Sequence, residues 1–116
     1  HFHLGLLAEA VHDLPKAVGH YAAALQMKAD YTAALGRCVE MVAEYKAVLP
    51  QELLSLVPIS SWERIWLEKL QLYLEKGSVD SATSLLEGAS TLSQKLVQQC
   101  TVTRDAFTAR GEDSQV

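Results

Sequence analysis

Four histidines and two cysteines are the side chains best equipped for chemistry in this sequence. His1 and His3 lie two apart, His12 and His20 lie eight apart, and Cys38 and Cys100 stand far from one another. A metal site on a helix needs ligands at i, i+3 or i+4. No acid or thiol joins the histidines at that spacing, so they read as solvent-facing or capping residues, and no metal ligand is assigned. Two distant cysteines do not make the dense framework of a small secreted domain. They read as reduced thiols packed within helices, which points to an intracellular location, cytoplasmic or nuclear. There is no nucleophile elbow, Gly-rich phosphate loop or HExxH. The Ser and Thr residues between 78 and 103 read as caps and a polar helix face. No catalytic or cofactor-binding residue is therefore assigned, no cofactor is expected, and the chain reads as a non-enzyme. An enzyme whose catalytic part lay elsewhere would leave the same trace.

Composition narrows the elements that could hold any site. The 116 residues amount to one domain, and 49% of them are hydrophobic. Ala and Leu dominate and Asn is absent, which favours an all-α protein. The net charge of −4 offers no basic face for nucleic acid. No polybasic run suits an anionic membrane. The wholly apolar stretches fall far short of the roughly 20 residues that span a bilayer.

Periodicity and breakers divide the chain. A helix is expected over 1–11, with His12-Asp13-Leu14-Pro15 as the turn. Asp13 is a plausible N-cap, and Pro15 suits the first helical position. A second helix is expected over 15–28 and a third over 31–48, started by Asp30. Pro50 and Pro58 then bracket an apolar stretch with Leu53, Leu54, Leu56 and Val57. Ser60 with Glu63 fits a capping box ahead of a helix that Gly77 ends. A last helix is expected from Asp80 to about residue 110, before a disordered tail over 111–116.

The same skeleton occurs twice. Leu4-Gly5, Ala8, Asp13, Lys16-Ala17, Tyr21 and Ala24 form the first copy, and Trp66, Tyr73, Gly77, Ala82, Leu86 and Ala89 the second. Ala8 to Ala17 and Tyr73 to Ala82 are each nine residues; the steps to the next two landmarks are four and three in both copies. The pattern resembles the tetratricopeptide repeat, a helix-turn-helix unit of about 34 residues. The resemblance covers about two-thirds of the chain. Ala8 departs from the preferred Tyr, Ala29 from the preferred Pro, and Lys69-Leu70 from Leu-Gly. It implies antiparallel helix pairs stacked as a short right-handed superhelix closed by a long C-terminal capping helix. The repeat-like units would be about 1–30, an irregular 31–58, and 60–95, within one domain over 1–110. The middle unit's second helix should be absent, or about two turns between the prolines. Because His1 already lies in a repeat's leading helix, the chain reads as the C-terminal end of a larger array.

The same resemblance implies a non-catalytic scaffold whose first helices line a groove for a partner protein's peptide or helix. By register the groove would hold Phe2, Leu6 and Glu9, then Gly36, Arg37, Glu40 and Glu44, then Arg64, Leu67, Gln71 and Glu75. Its mixed, slightly acidic character suits a basic or amphipathic segment. The clamp that holds the Hsp70 or Hsp90 tail uses Lys and Asn; this chain has no Asn and no Lys at those groove positions, so that partner is not expected. Leu53 and Leu54 are too apolar for a free loop: either they pack beneath the middle helices or they dock on a partner. The final Ser114-Gln115-Val116 fits the tail taken up by PDZ domains. An alternative reading is a structural domain that packs against another copy or the rest of its own chain.

Overall fold

A computed structural model describes the backbone of residues 1–115 and the side-chain surroundings of residues 1–109. The fold is all-α, with no strand among the described residues. Seven α-helices follow in order: α1 (Phe2–Ala10), α2 (Leu14–Met27), α3 (Thr32–Tyr45), α4 (Gln51–Leu54), α5 (Ile59–Lys76), α6 (Val79–Gly88) and α7 (Gln94–Gln115). A 3₁₀ turn, Ala89–Thr91, links α6 to α7.

The helices form two layers. Contacts run in the same order along α1 and α3: Phe2 stacks near Tyr31 at one end, and Glu9 meets Arg37 further along. Lys69 of α5 lies over Gly36 and reaches Glu40 of α3, while Tyr73 meets Glu44 one turn on. Glu63 of α5 meets Ser93, and Gln71 faces Val102 to Phe107. Thus α1, α3, α5 and α7 run parallel, side by side. Against this row lie α2, antiparallel to α1, and α6, antiparallel to α5.

Small residues set the spacing of the pairs. A Cβ on Gly5 would run into the Tyr21 ring, so α1 and α2 approach closely only because Gly5 lacks one. Ala17, Tyr21, Ala24 and Leu25 are buried there. In the second pair, Trp66 is buried and its Nε1–H donates to the Leu85 carbonyl at 2.8 Å. Gly88 sits against Val42 and Trp66, where a Cβ would stand 3.0 and 3.1 Å from their atoms. Each fully buried large side chain stabilises the fold by roughly 1.5–3 kcal/mol.

Local signals explain several boundaries. Asp13 caps α2 as expected, its Oδ1 accepting the Lys16 N–H at 3.3 Å; Leu14 opens the helix, one residue before the expected start, and Pro15 sits in its first turn. Gly77 ends α5 in the left-handed region, φ 76°. Other expectations need correction. Tyr31, not Asp30, precedes α3, and α3 ends at Tyr45, where Lys46 turns left-handed at φ 56°. Pro58 precedes α5; Ser60 and Glu63 form no capping box, because the Glu63 carboxylate accepts from Ser93 Oγ at 2.8 Å. The last helix is not continuous from residue 80. Thr91 Oγ1 donates to the Gly88 carbonyl at 2.7 Å, and Ser93 Oγ accepts the Leu96 N–H at 3.0 Å, capping a new helix. That helix continues to Gln115, past the expected boundary near 110. The tail proposed over 111–116, with its PDZ-type ending, lies outside the residues whose side chains are described.

The helix between the two prolines, expected to be absent or about two turns, is the single turn α4. Pro50 and Pro58 confine it, and α4 is held by burial of Leu49, Leu53, Leu54 and Val57 and by Trp62 Nε1–H donating to the Leu54 carbonyl at 2.9 Å. With no full helix at this place, α6 packs extensively against α3.

Candidate binding surface

The groove-register residues of α1 and α3 come together, but they bind one another. Glu9 is 4% exposed and accepts from the Tyr21 hydroxyl. It also accepts from Arg37 Nη2 at 2.5 Å and Nε at 3.1 Å. Arg37 Nη1 reaches Glu40, whose other oxygen meets Lys69 Nζ at 2.6 Å. The chain Tyr21–Glu9–Arg37–Glu40–Lys69 therefore crosses four helices and ties α1, α3 and α5 edge to edge. A carboxylate buried so deeply is tolerable only with such partners. The Glu9 hydrogen bond raises the Arg37 guanidinium's affinity for its proton despite burial. Burial, with the Glu9 bond and charge, raises the Tyr21 phenol well above its ordinary range. Both groups stay protonated and neither is poised for acid–base work.

The remaining expected groove residues separate into three groups. Glu44 is exposed at the end of α3; burial, with the Glu44 and Glu40 charges, pushes the Tyr73 phenol up to about 12. Arg64 is 58% exposed and forms an i,i+4 pair with Glu68 at 3.8 Å; Glu75 is exposed. Leu67 and Gln71 face shallow clefts against α7, beside Val102 and Thr103. Leu53 and Leu54 are core residues, so a partner cannot reach them; of the two expectations for this stretch, packing beneath the middle helices is the one observed. Trp62 is buried as well.

Sequence reasoning missed Lys69. It stands where the repeat pattern prefers Leu, and that departure supplies the cation that Glu40 needs, over the space left by Gly36. It also missed the exposed leucines of α1, Leu4 and Leu7, although His3 and Glu9 are the polar residues of so short a helix. An apolar cleft of about 370 Å³ lies between α5, α6 and α7, lined by Tyr73, Leu74, Val79, Leu86, Arg104 and Phe107. Among the described residues, no three His, Cys, Asp or Glu side chains cluster as a metal site would require. No helix among them is long and apolar enough to cross a membrane.

No family model, curated protein or solved structure matches the chain. Its functional reading rests on the residues and their geometry.

Proposed function

We propose that the chain is a non-catalytic, tetratricopeptide-like scaffold that binds a segment of a partner protein within an intracellular complex, cytoplasmic or nuclear. The observation that carries this reading is the parallel row of α1, α3, α5 and α7, with its seam of ion pairs joining the first three. Such a row gives several helices one shared, rigid face, which suits recognition better than turnover. Arg37 and Glu40 serve the scaffold by holding that face together. The side chains left for a partner are Glu44, Arg64, Gln71 and Glu75, with Leu67 recessed beside α7. Their balance is acidic, so the complement is a basic or amphipathic segment.

The test is a displayed library of extended and helical segments selected against the native chain and a Glu44→Lys/Glu75→Lys variant, both checked for helical circular dichroism. Basic or amphipathic segments should enrich on the native chain and lose about tenfold in affinity for the variant. Enrichment of nothing, or equal binding to the folded variant, would overturn the reading.

A further inference from the structure

The apolar cleft of about 370 Å³ between α5, α6 and α7 has a wall from each helix. Val79, Ala82, Thr83 and Leu86 recur at i, i+3, i+4 and i+7, so a single face of α6 supplies one wall. Arg104, Phe107 and Thr108 recur at i, i+3 and i+4 and supply the wall of α7. Tyr73 and Leu74, near the end of α5, complete it. The 3₁₀ turn joins α6 to α7, yet the two helices touch each other little, and the cleft is the space left between them. Sites for small molecules occupy roughly 300–1,000 Å³ and are mostly apolar, with a few placed polar groups. This cleft is at the small end of that range.

The charge of the walls decides what would fit. Among the described residues that line the cleft, Arg104 is the one charged side chain, and no carboxylate lines it. Asp105, about 100° further round α7, accepts from Arg104 Nε at 3.2 Å and from Nη2 at 3.1 Å. The two side chains are 47 and 65% exposed, and a pair so open to water contributes little. Nη1 makes no hydrogen bond among the described residues. Lys76, in the last turn of α5, and Asp80, in the first turn of α6, lie outside the lining and offset one another. An apolar space with a cation in its wall and no acid is complementary to a small amphipath with one negative charge. We propose that the cleft binds a free medium-chain aliphatic monocarboxylate, its chain against Leu74, Val79, Leu86 and Phe107 and its carboxylate on Arg104. Such a ligand would tie α7 to α5 and α6.

The probe is decanoate, titrated calorimetrically into the full chain, with decylamine as the control of equal chain length and opposite charge. Decanoate should bind about tenfold or more tightly than decylamine. Arg104→Gln should remove that preference, whereas Asp105→Asn, which releases the guanidinium, should tighten decanoate binding severalfold. Thr83→Trp and Thr108→Trp each place a large ring at the cleft from an exposed position, and each should abolish binding while circular dichroism stays helical. Bound decanoate should also slow amide exchange in the second half of α7. Absence of binding at millimolar decanoate, equal binding of decanoate and decylamine, or binding that survives a folded tryptophan variant would overturn the proposal. So would sedimentation of the native chain as a dimer that the tryptophan variants dissolve, because a second copy would then fill the cleft.

Discussion

Gly5 and Gly19 show how a single position can carry opposite consequences. Both lie inside helices, where Ala is intrinsically better than Gly by roughly 0.5–1 kcal/mol. At Gly19 the space is open, so Gly19→Ala should raise stability by about that amount, read as a higher denaturant midpoint. At Gly5 the new methyl would strike the Tyr21 ring, so Gly5→Ala should lower stability by about 1–3 kcal/mol and disturb the phenol's bond to Glu9. The thiols make a second residue-scale case. Burial pushes Cys100 up to about 11; burial with the Glu9 charge pushes Cys38 up to about 12. An unfolded thiol titrates near about 8.5, so the folded chain holds protons that the unfolded chain releases at higher pH. Their contribution to stability is whole below about pH 8.5 and falls as pH rises toward the folded values. The urea midpoint should therefore drop between about pH 8 and pH 10, and drop less in a Cys38→Ala/Cys100→Ala variant. Neither thiol should react with iodoacetamide at about pH 8 until the chain unfolds. Burial of Cys38 was legible from its place on an apolar helix face. The ion-pair seam was only half legible: Glu9, Arg37 and Glu40 follow from register, but Lys69 breaks the pattern, and register says nothing of which charges pair.

At the scale of elements, the start of α7 rests on one hydroxyl. Ser93 Oγ both caps α7 at the Leu96 N–H and donates to Glu63 on α5. Ser93→Ala removes both bonds, and should cost about 1–3 kcal/mol. The loss should fall on α7, so its amides should exchange faster while those of α3 and α5 change little. Helix existence was readable from apolar spacing, but the break between α6 and α7 was not, because the apolar pattern from Ala82 to Cys100 persists through it. Three hydroxyl side chains at Ser90, Thr91 and Ser93 were its available sign. The one-turn α4 makes a different prediction. Leu53→Asp puts a charge into a fully buried site, so it should unfold the chain in circular dichroism instead of yielding a folded variant with a bare docking surface.

Across the whole molecule, the layers are unequally secured. The α1–α2 pair touches the remainder mainly through α3, whereas α3, α5 and α6 each contact the other two. Native-state hydrogen exchange should find α1 and α2 opening together at lower free energy than α3, α5 and α6. Glu9→Gln should widen that gap by weakening the tie across Arg37. The all-α class and the paired ends were readable from the twice-repeated skeleton. The middle was not, because two prolines remove a helix without saying what fills the place. Packing of α6 against α3 across that place departs from a stack of equivalent helix pairs. In a solenoid of equivalent units, evolution or an engineer can duplicate or delete any one and close the joint. Here that place is occupied: α6 reaches back to α3, with Gly88 wedged between Val42 and Trp66. Residues 31–92 are thus packed as a single module, and a helix pair inserted among them would have to break the contact between α3 and α6.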